Sequence, residues 1–221
     1  MSADRVKLPK NSTPSLRCMS SKECLVKCFM REMANYVLYA SKVIDDVEVE
    51  NAISLLIDAK RDGKKIMVIG AGRSGLAGKA FAMRLMHLGF NVYVFGETIT
   101  PALGQGDLII SISGSGTTRM VVTSATAGKE IGAKILAITS HRDSTLAKLS
   151  DQYIIIPGRT KLAKEDDYVI RQILGSHEPL APLGTLFEAT LNIFLDSLVA
   201  ELMQRLGSTE SDLKKRHATI E

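Results

Sequence analysis

The sequence predicts an α/β fold: a doubly wound sandwich around a five-stranded parallel sheet, with extra helices at both ends. Two observations carry that prediction. Five short, nearly continuous apolar runs recur along the chain, as expected of strands buried on both faces. Stretches with helical spacing separate most of them, and strand–helix alternation of this length implies right-handed crossovers and parallel pairing.

Taken in order, residues 1–20 read as a loose N-terminal arm, and residues 21–221 as one domain with flanking helices. Leu25, Phe29, Met33 and Val37 fall on one face of a helix expected over 21–44. A second helix, 46–61, carries Val49, Ile53, Leu56 and Ile57 and stops at Gly63. The rhythm then changes to strand at 65–69, followed by a helix over 74–87 that ends at Gly89. Further strands are predicted at 92–95, 108–113, 135–139 and 153–156, with helices at 118–132 and 144–149. A polar segment, 158–179, precedes a long helix opening at Pro182 and running to 206. Its Leu186, Phe187, Leu191, Phe194, Leu198 and Leu202 make an apolar stripe. Ile193, Leu195 and Val199 widen that stripe enough to suggest a second face, meeting another subunit. A short helix from Ser208 ends in Arg216 and His217.

Composition excludes several classes. At 45% hydrophobic and 24% charged, the chain is globular rather than disordered. With aromatics at 5% and no Trp, nothing suggests a nucleic-acid platform. The net charge of +4 suits an anionic small molecule, although the basic residues are scattered and Lys214, Lys215 and Arg216 form a single short run. No secretory leader and no uninterrupted run of eighteen apolar residues is seen, so neither secretion nor a membrane partner is expected. Cys18, Cys24 and Cys28 are odd in number and fit plain thiols in a reducing cytoplasm. A zinc site on Cys24 and Cys28 is conceivable, but no fourth ligand is near, and no metal is expected.

Two glycine loops compete for the ligand. Residues 70–75 match G-x-G-x-x-G between a strand and a helix. Dinucleotide binding, with Glu97 on the ribose, another phosphate-type ligand and bare turn geometry are all open on that motif. In the second loop, Ser113, Ser115, Thr117 and Thr118 alternate with Gly114 and Gly116 at the end of the third strand and the start of the next helix. Glycines let backbone N–H groups converge, hydroxyls add donors, and the helix start favours an anion. This loop reads as a cradle for a terminal phosphate.

That strand, Ile-Ser-Gly-Ser-Gly-Thr-Thr, helix sequence resembles the signature of SIS domains, which bind phosphosugars. Three further segments, 81–90 (FAMRLMHLGF), 96–101 (GETITP) and 182–188 (PLGTLFE), are similar to the 6-phospho-3-hexuloisomerases, and the similarity extends from 65 to 217. The arm and the 158–179 insertion depart from that pattern, and the insertion bears on substrate choice. The resemblance implies a flavodoxin-like three-layer sandwich and an isomerase interconverting 3-hexulose 6-phosphate and fructose 6-phosphate. No redox cofactor or metal is implied, and the partner is a second copy of the chain, with a tetramer expected. By the resemblance Ser74 of the first loop, with Gly72 beside it, would face the sugar phosphate together with the second loop. Read from position, Arg73 either helps neutralise the phosphate or simply sits on the surface, and Glu97, at the sheet's carboxyl edge, either meets sugar hydroxyls or serves as a cap or loop residue.

The chemistry is proton transfer between neighbouring carbons, which one carboxylate can perform if both carbons present the same face. Glu188, in the second turn of the long helix beside the small Gly184 and Thr185, is the first choice for that base. On position alone it would read as a solvated acid near a helix start. His217, by its resemblance to the family's C-terminal end, would move a proton between the two oxygens or open the sugar ring, in its own or a neighbour's site. His87 is a third candidate, with a structural histidine as the plainer reading. A phosphosugar-sensing module without turnover and a nicotinamide enzyme are the rival classes.

Overall fold

The computed structural model describes residues 24–158 and 184–217. The arm, Cys18, Pro182 and most of the 158–179 insertion lie outside those residues. The described chain forms helices α1 (Leu25–Val43), α2 (Asp46–Arg61), α3 (Gly72–His87), α4 (Arg119–Glu130), α5 (Thr145–Leu149), α6 (Thr185–Arg205) and α7 (Glu210–Lys215). The strands are β1 (Lys65–Gly70), β2 (Asn91–Val94), β3 (Leu108–Ile112), β4 (Lys134–Thr139) and β5 (Gln152–Ile155). All are parallel, in the order β2-β1-β3-β4-β5.

Side-chain alternation along the strands divides the core in two. Ile66, Val68, Ile110, Ile112, Leu136 and Ile138 face α2, α3 and α6, while Met67, Ile69, Ile109, Ile135 and Ala137 face α4 and α5. The result is the predicted three-layer α/β sandwich. β3 lies at its centre and is buried along its whole length, which explains why it reads as an unbroken apolar run.

Two details of the packing differ from expectation. Leu195 and Val199 are buried against the chain's own core, so α6 has no broad second face and Ile193 stays exposed. Exposed apolar side chains are concentrated instead on α1, where Leu25, Val26, Phe29, Met30 and Leu38 stand in solvent while Cys28 and Ala40 pack inward, with others on α3 (Leu76, Met83, Met86) and after β2 (Phe95, Ile99). Cys28 is also disulfide-bonded, so three plain thiols are not what the structure has, and that argument for a reducing compartment falls away. Cys24 is an exposed free thiol. No helix among the described residues is long and apolar enough to cross a membrane.

The order of strands places a topological switch point between β1 and β3. The chain leaves β1 toward one side and β3 toward the other, and the carboxyl ends of these neighbours frame the crevice in which open α/β sheets take ligands. Both glycine loops open there.

Candidate active site

The first glycine loop is shaped by its own backbone. A Cβ on Gly70 would fall 2.8 Å from the Gly75 nitrogen, and one on Gly75 would fall 2.6 Å from the Gly70 carbonyl oxygen. The strand end and the first turn of α3 therefore touch through bare backbone, and two of the three glycines are accounted for without a dinucleotide. Because the turn is so tight, α3 begins at Gly72 rather than at Ser74, and Arg73 and Ser74 stand in its first turn.

The second loop braces itself with hydroxyls. Ser113 Oγ accepts the Gly116 N–H at 3.1 Å and pairs with Thr118 Oγ1 at 2.8 Å. Ser115 Oγ accepts from Thr117 N (3.3 Å) and Thr117 Oγ1 (3.1 Å). Both serines are buried, whereas Thr117 is exposed and Thr118 half-buried at the N-cap of α4. Gly116 has φ +64°, and a side chain there would collide with Ser144. Sequence reasoning missed the residues that support the loop from the end of β4. Ser140 N donates to the Gly114 carbonyl at 3.0 Å, and Thr139 Oγ1 donates to the same oxygen at 3.4 Å. Their position at the carboxyl end of the strand beside β3 was the available signal.

Helix starts differ in how they are capped, and α1 starts without a side-chain cap. Asp45, Ser144 and Thr209 cap α2, α5 and α7 with their side chains. α3, α4 and α6 have no side-chain cap, and their first turns converge on the switch point. Uncapped helix starts of this kind leave N–H groups and a positive dipole end available to an anion.

Glu188 enters from α6. Phe187, its neighbour, lies against Gly114, where a Cβ would meet the ring at 3.0 Å. Gly184 holds φ +72° as the N-cap, and a Cβ there would come within 3.1 Å of Glu188 Oε2. The Glu188 side chain is 13% exposed, and its buried Oε2 accepts no hydrogen bond among the described residues. Arg73 Nε stands 3.7 Å from that oxygen, while Arg73 Nη1 donates to Thr185 Oγ1 at 3.1 Å. Burial pushes the Glu188 carboxyl above the ordinary glutamate value, and Arg73 and the backbone recover part of the shift. A buried carboxyl raised in this way, with an oxygen that takes no hydrogen bond among the described residues, has the chemistry asked of a proton acceptor and donor.

The other candidates lie elsewhere. Glu97 follows β2, and its carboxylate is taken by Lys79 on α3 rather than by either glycine loop. His87 is buried at the far end of α3, stacked under His217 with ring centroids 4.9 Å apart, and Arg216 Nη1 donates to the His87 carbonyl. Arg73 and His87 occupy opposite ends of α3, so at 1.5 Å per residue the two groups of candidates are separated by roughly 20 Å. One chain therefore brings together the second loop, Arg73 and Glu188, and leaves His217 and His87 at the opposite pole. Among the described residues no group of three His, Cys, Asp or Glu side chains is placed to hold a metal ion.

Comparison with known proteins agrees with the fold and the motifs. Residues 61–191 match the SIS domain family. An uncharacterized protein of Aeropyrum pernix is 52% identical over 87% of this chain and 91% of its own length. The 3-hexulose-6-phosphate isomerase of Methanocaldococcus jannaschii is 40% identical over 85% of this chain and 94% of its own. A crystal structure from Methanococcus jannaschii, described as inferring a 3-hexulose-6-phosphate isomerase function, superposes with a TM-score of 0.70 at 37% identity, covering 86% and 97% of the two chains. The chain belongs to the SIS-domain family, in the group that contains the 3-hexulose-6-phosphate isomerases.

Proposed function

We propose that the protein interconverts 3-hexulose 6-phosphate and fructose 6-phosphate through a 2,3-enediolate. The buried Oε2 of Glu188, which accepts no hydrogen bond among the described residues and lies beside the 113–118 loop, carries this reading. The phosphate is held by the 113–118 loop and the first turns of α3 and α4, which includes Gly72, Arg73 and Ser74. Glu188 removes the proton from C3 of fructose 6-phosphate, and the C3–H electrons form the C2–C3 double bond of the enediolate as charge moves onto O2. The proton returns to C2, giving the 3-ketone, while a second proton passes between O3 and O2. His217 is assigned to that transfer or to ring opening, and His87 supports it. No redox step is required, because the oxidation of one carbon balances the reduction of its neighbour.

The roughly 20 Å between Glu188 and His217 within a chain favours a site completed by a neighbouring copy. The exposed apolar residues of α1 supply a face for such association, in which a tetramer is the expected assembly. Phosphosugars are charged intracellular metabolites, which puts the enzyme in the cytoplasm.

Proton exchange tests the reading. Fructose 6-phosphate incubated with the enzyme in heavy water should acquire deuterium at C3, and the 3-hexulose 6-phosphate formed from it at C2, seen by NMR and mass. Binding without exchange by folded protein would leave the rival reading, a phosphosugar-sensing module without turnover. Exchange with another sugar phosphate and none with fructose 6-phosphate would reassign the substrate.

A further inference from the structure

Thr185 is small enough to leave room for a sugar, yet its hydroxyl has a more specific engagement. It is the first residue of α6, one turn before Glu188, so the two side chains share a helix face. Arg73 reaches both from the first turn of α3. It gives Nη1 to Thr185 Oγ1 at 3.1 Å and leaves Nε at 3.7 Å from Glu188 Oε2. A charge-assisted N–H to carboxylate bond closes to about 2.7–2.9 Å, and arginine usually engages a carboxylate through two parallel bonds. The observed distance is well outside that range, although the carboxyl is buried and the cation adjacent.

We propose that Thr185 and Arg73 form a positioning couple that sets the proton affinity of Glu188. The threonine hydroxyl retains the guanidinium where its charge reaches the carboxylate without bonding the buried oxygen that must take the substrate proton. The inference rests on Glu188 being the base. A full fork-to-fork ion pair would occupy that oxygen and stabilise the ionised form, leaving a weaker base. Removing the cation would have the opposite effect, because the backbone alone would then oppose burial. Among the described residues the neighbouring elements add no competing charge to Glu188. The 113–118 loop meets α6 at Phe187, Gly184 contributes backbone, and among the described residues Arg73 is the charged group that acts on Glu188.

The couple makes two predictions of opposite sign. In the full-length protein, Thr185→Val lets Arg73 close onto Glu188 and shifts the acid limb of kcat/KM downward by about 0.5–1 pH unit. Arg73→Met shifts it upward by a similar amount. Thr185→Ser and Arg73→Lys, which keep the hydroxyl and the charge, should stay within about 0.3 unit of the parent. A 13C-NMR titration of the Glu188 carboxyl in the same proteins should move in the same senses. Shifts of both variants in one direction, or no shift in either, would overturn the couple, since a general loosening of the site has no reason to give opposite signs. The titration is independent of turnover. If Glu188→Gln keeps near-normal kcat, the base assignment fails, and the NMR shifts still decide whether the couple exists.

Discussion

The two edges of the sheet handle buried carboxylates in opposite ways. At the amino-terminal edge, Asp107 accepts the Lys65 N–H on Oδ1 and the Gly104 N–H on Oδ2, both at 2.8 Å, with Lys65 Nζ at 3.4 Å. At the carboxyl-terminal edge, Glu188 keeps a buried oxygen that takes no hydrogen bond among the described residues, next to a cation too far away to make one. Burial works to raise both acids. In Asp107 the backbone donors and Lys65 outweigh it and hold the carboxyl below the ordinary aspartate range, while in Glu188 burial prevails. A satisfied acid fastens a fold, and an unsatisfied one costs stability while retaining reactivity.

That contrast is tested most severely by exchanging the chemistry at the two poles. Glu188→Gln preserves shape and removes the proposed base, so kcat should fall roughly 10²–10⁴-fold with little change in affinity for fructose 6-phosphate. His217→Ala, at the opposite pole, should also be impaired if its imidazole works in a neighbour's site. Mixing the two inactive variants under conditions of subunit exchange should then restore up to roughly a quarter of parental activity, because some sites combine an intact Glu188 with an intact His217. Equal impairment without recovery, once exchange is verified by mass, would confine His217 to a structural role on His87.

The anchor should respond differently from the base. Ser113→Ala removes the acceptor for the Gly116 N–H and the partner of Thr118, so the loop loses its internal brace. The sugar phosphate should bind about tenfold more weakly, equivalent to about 1.4 kcal/mol, with kcat within a factor of about three. Calorimetry for affinity and steady-state kinetics for turnover separate these effects. A collapse of kcat at unchanged affinity would place Ser113 in the chemistry instead.

Legibility in the sequence follows how local the governing interaction is. α2 occurs over the predicted residues because its cap, Asp45, and its stop, at Gly63, lie within two residues of its ends. The order of strands and helices is equally readable, since continuous apolar runs reflect burial on both faces. The start of α3 reads two residues late, because glycines near a helix start suggest turn rather than helix. In fact the Gly70–Gly75 backbone contact pulls the first turn inward. The Ser113 loop is legible as a motif, but its supports, Thr139 and Ser140, come from another strand. Thr185 shows the limit most plainly, as its partner Arg73 is 112 residues away in sequence. Leu195 and Val199 are plainly apolar, yet which apolar face meets the core and which meets a partner depends on the crossing of α6 over α3.

The satisfied edge gives the smallest effect and the clearest sign. Asp107→Asn keeps one acceptor and replaces the other with a donor facing Lys65 or Gly104, which should cost about 2 kcal/mol and lower Tm by roughly 5 °C. The pH dependence identifies the cause. Because the folded carboxyl titrates below its unfolded value of about 3.9, the aspartate's contribution is fully present above that pH. It declines as pH falls through the lower, folded value, since protonation then removes in the parent what the substitution removes at every pH. The gap between parent and variant in urea midpoint should therefore be constant from about pH 8 to 5 and narrow below about pH 4. A gap that persists undiminished into acid would mean that the Asp107→Asn variant fails through packing rather than through lost charge. The contrast between the two carboxylates would then rest on Glu188 alone.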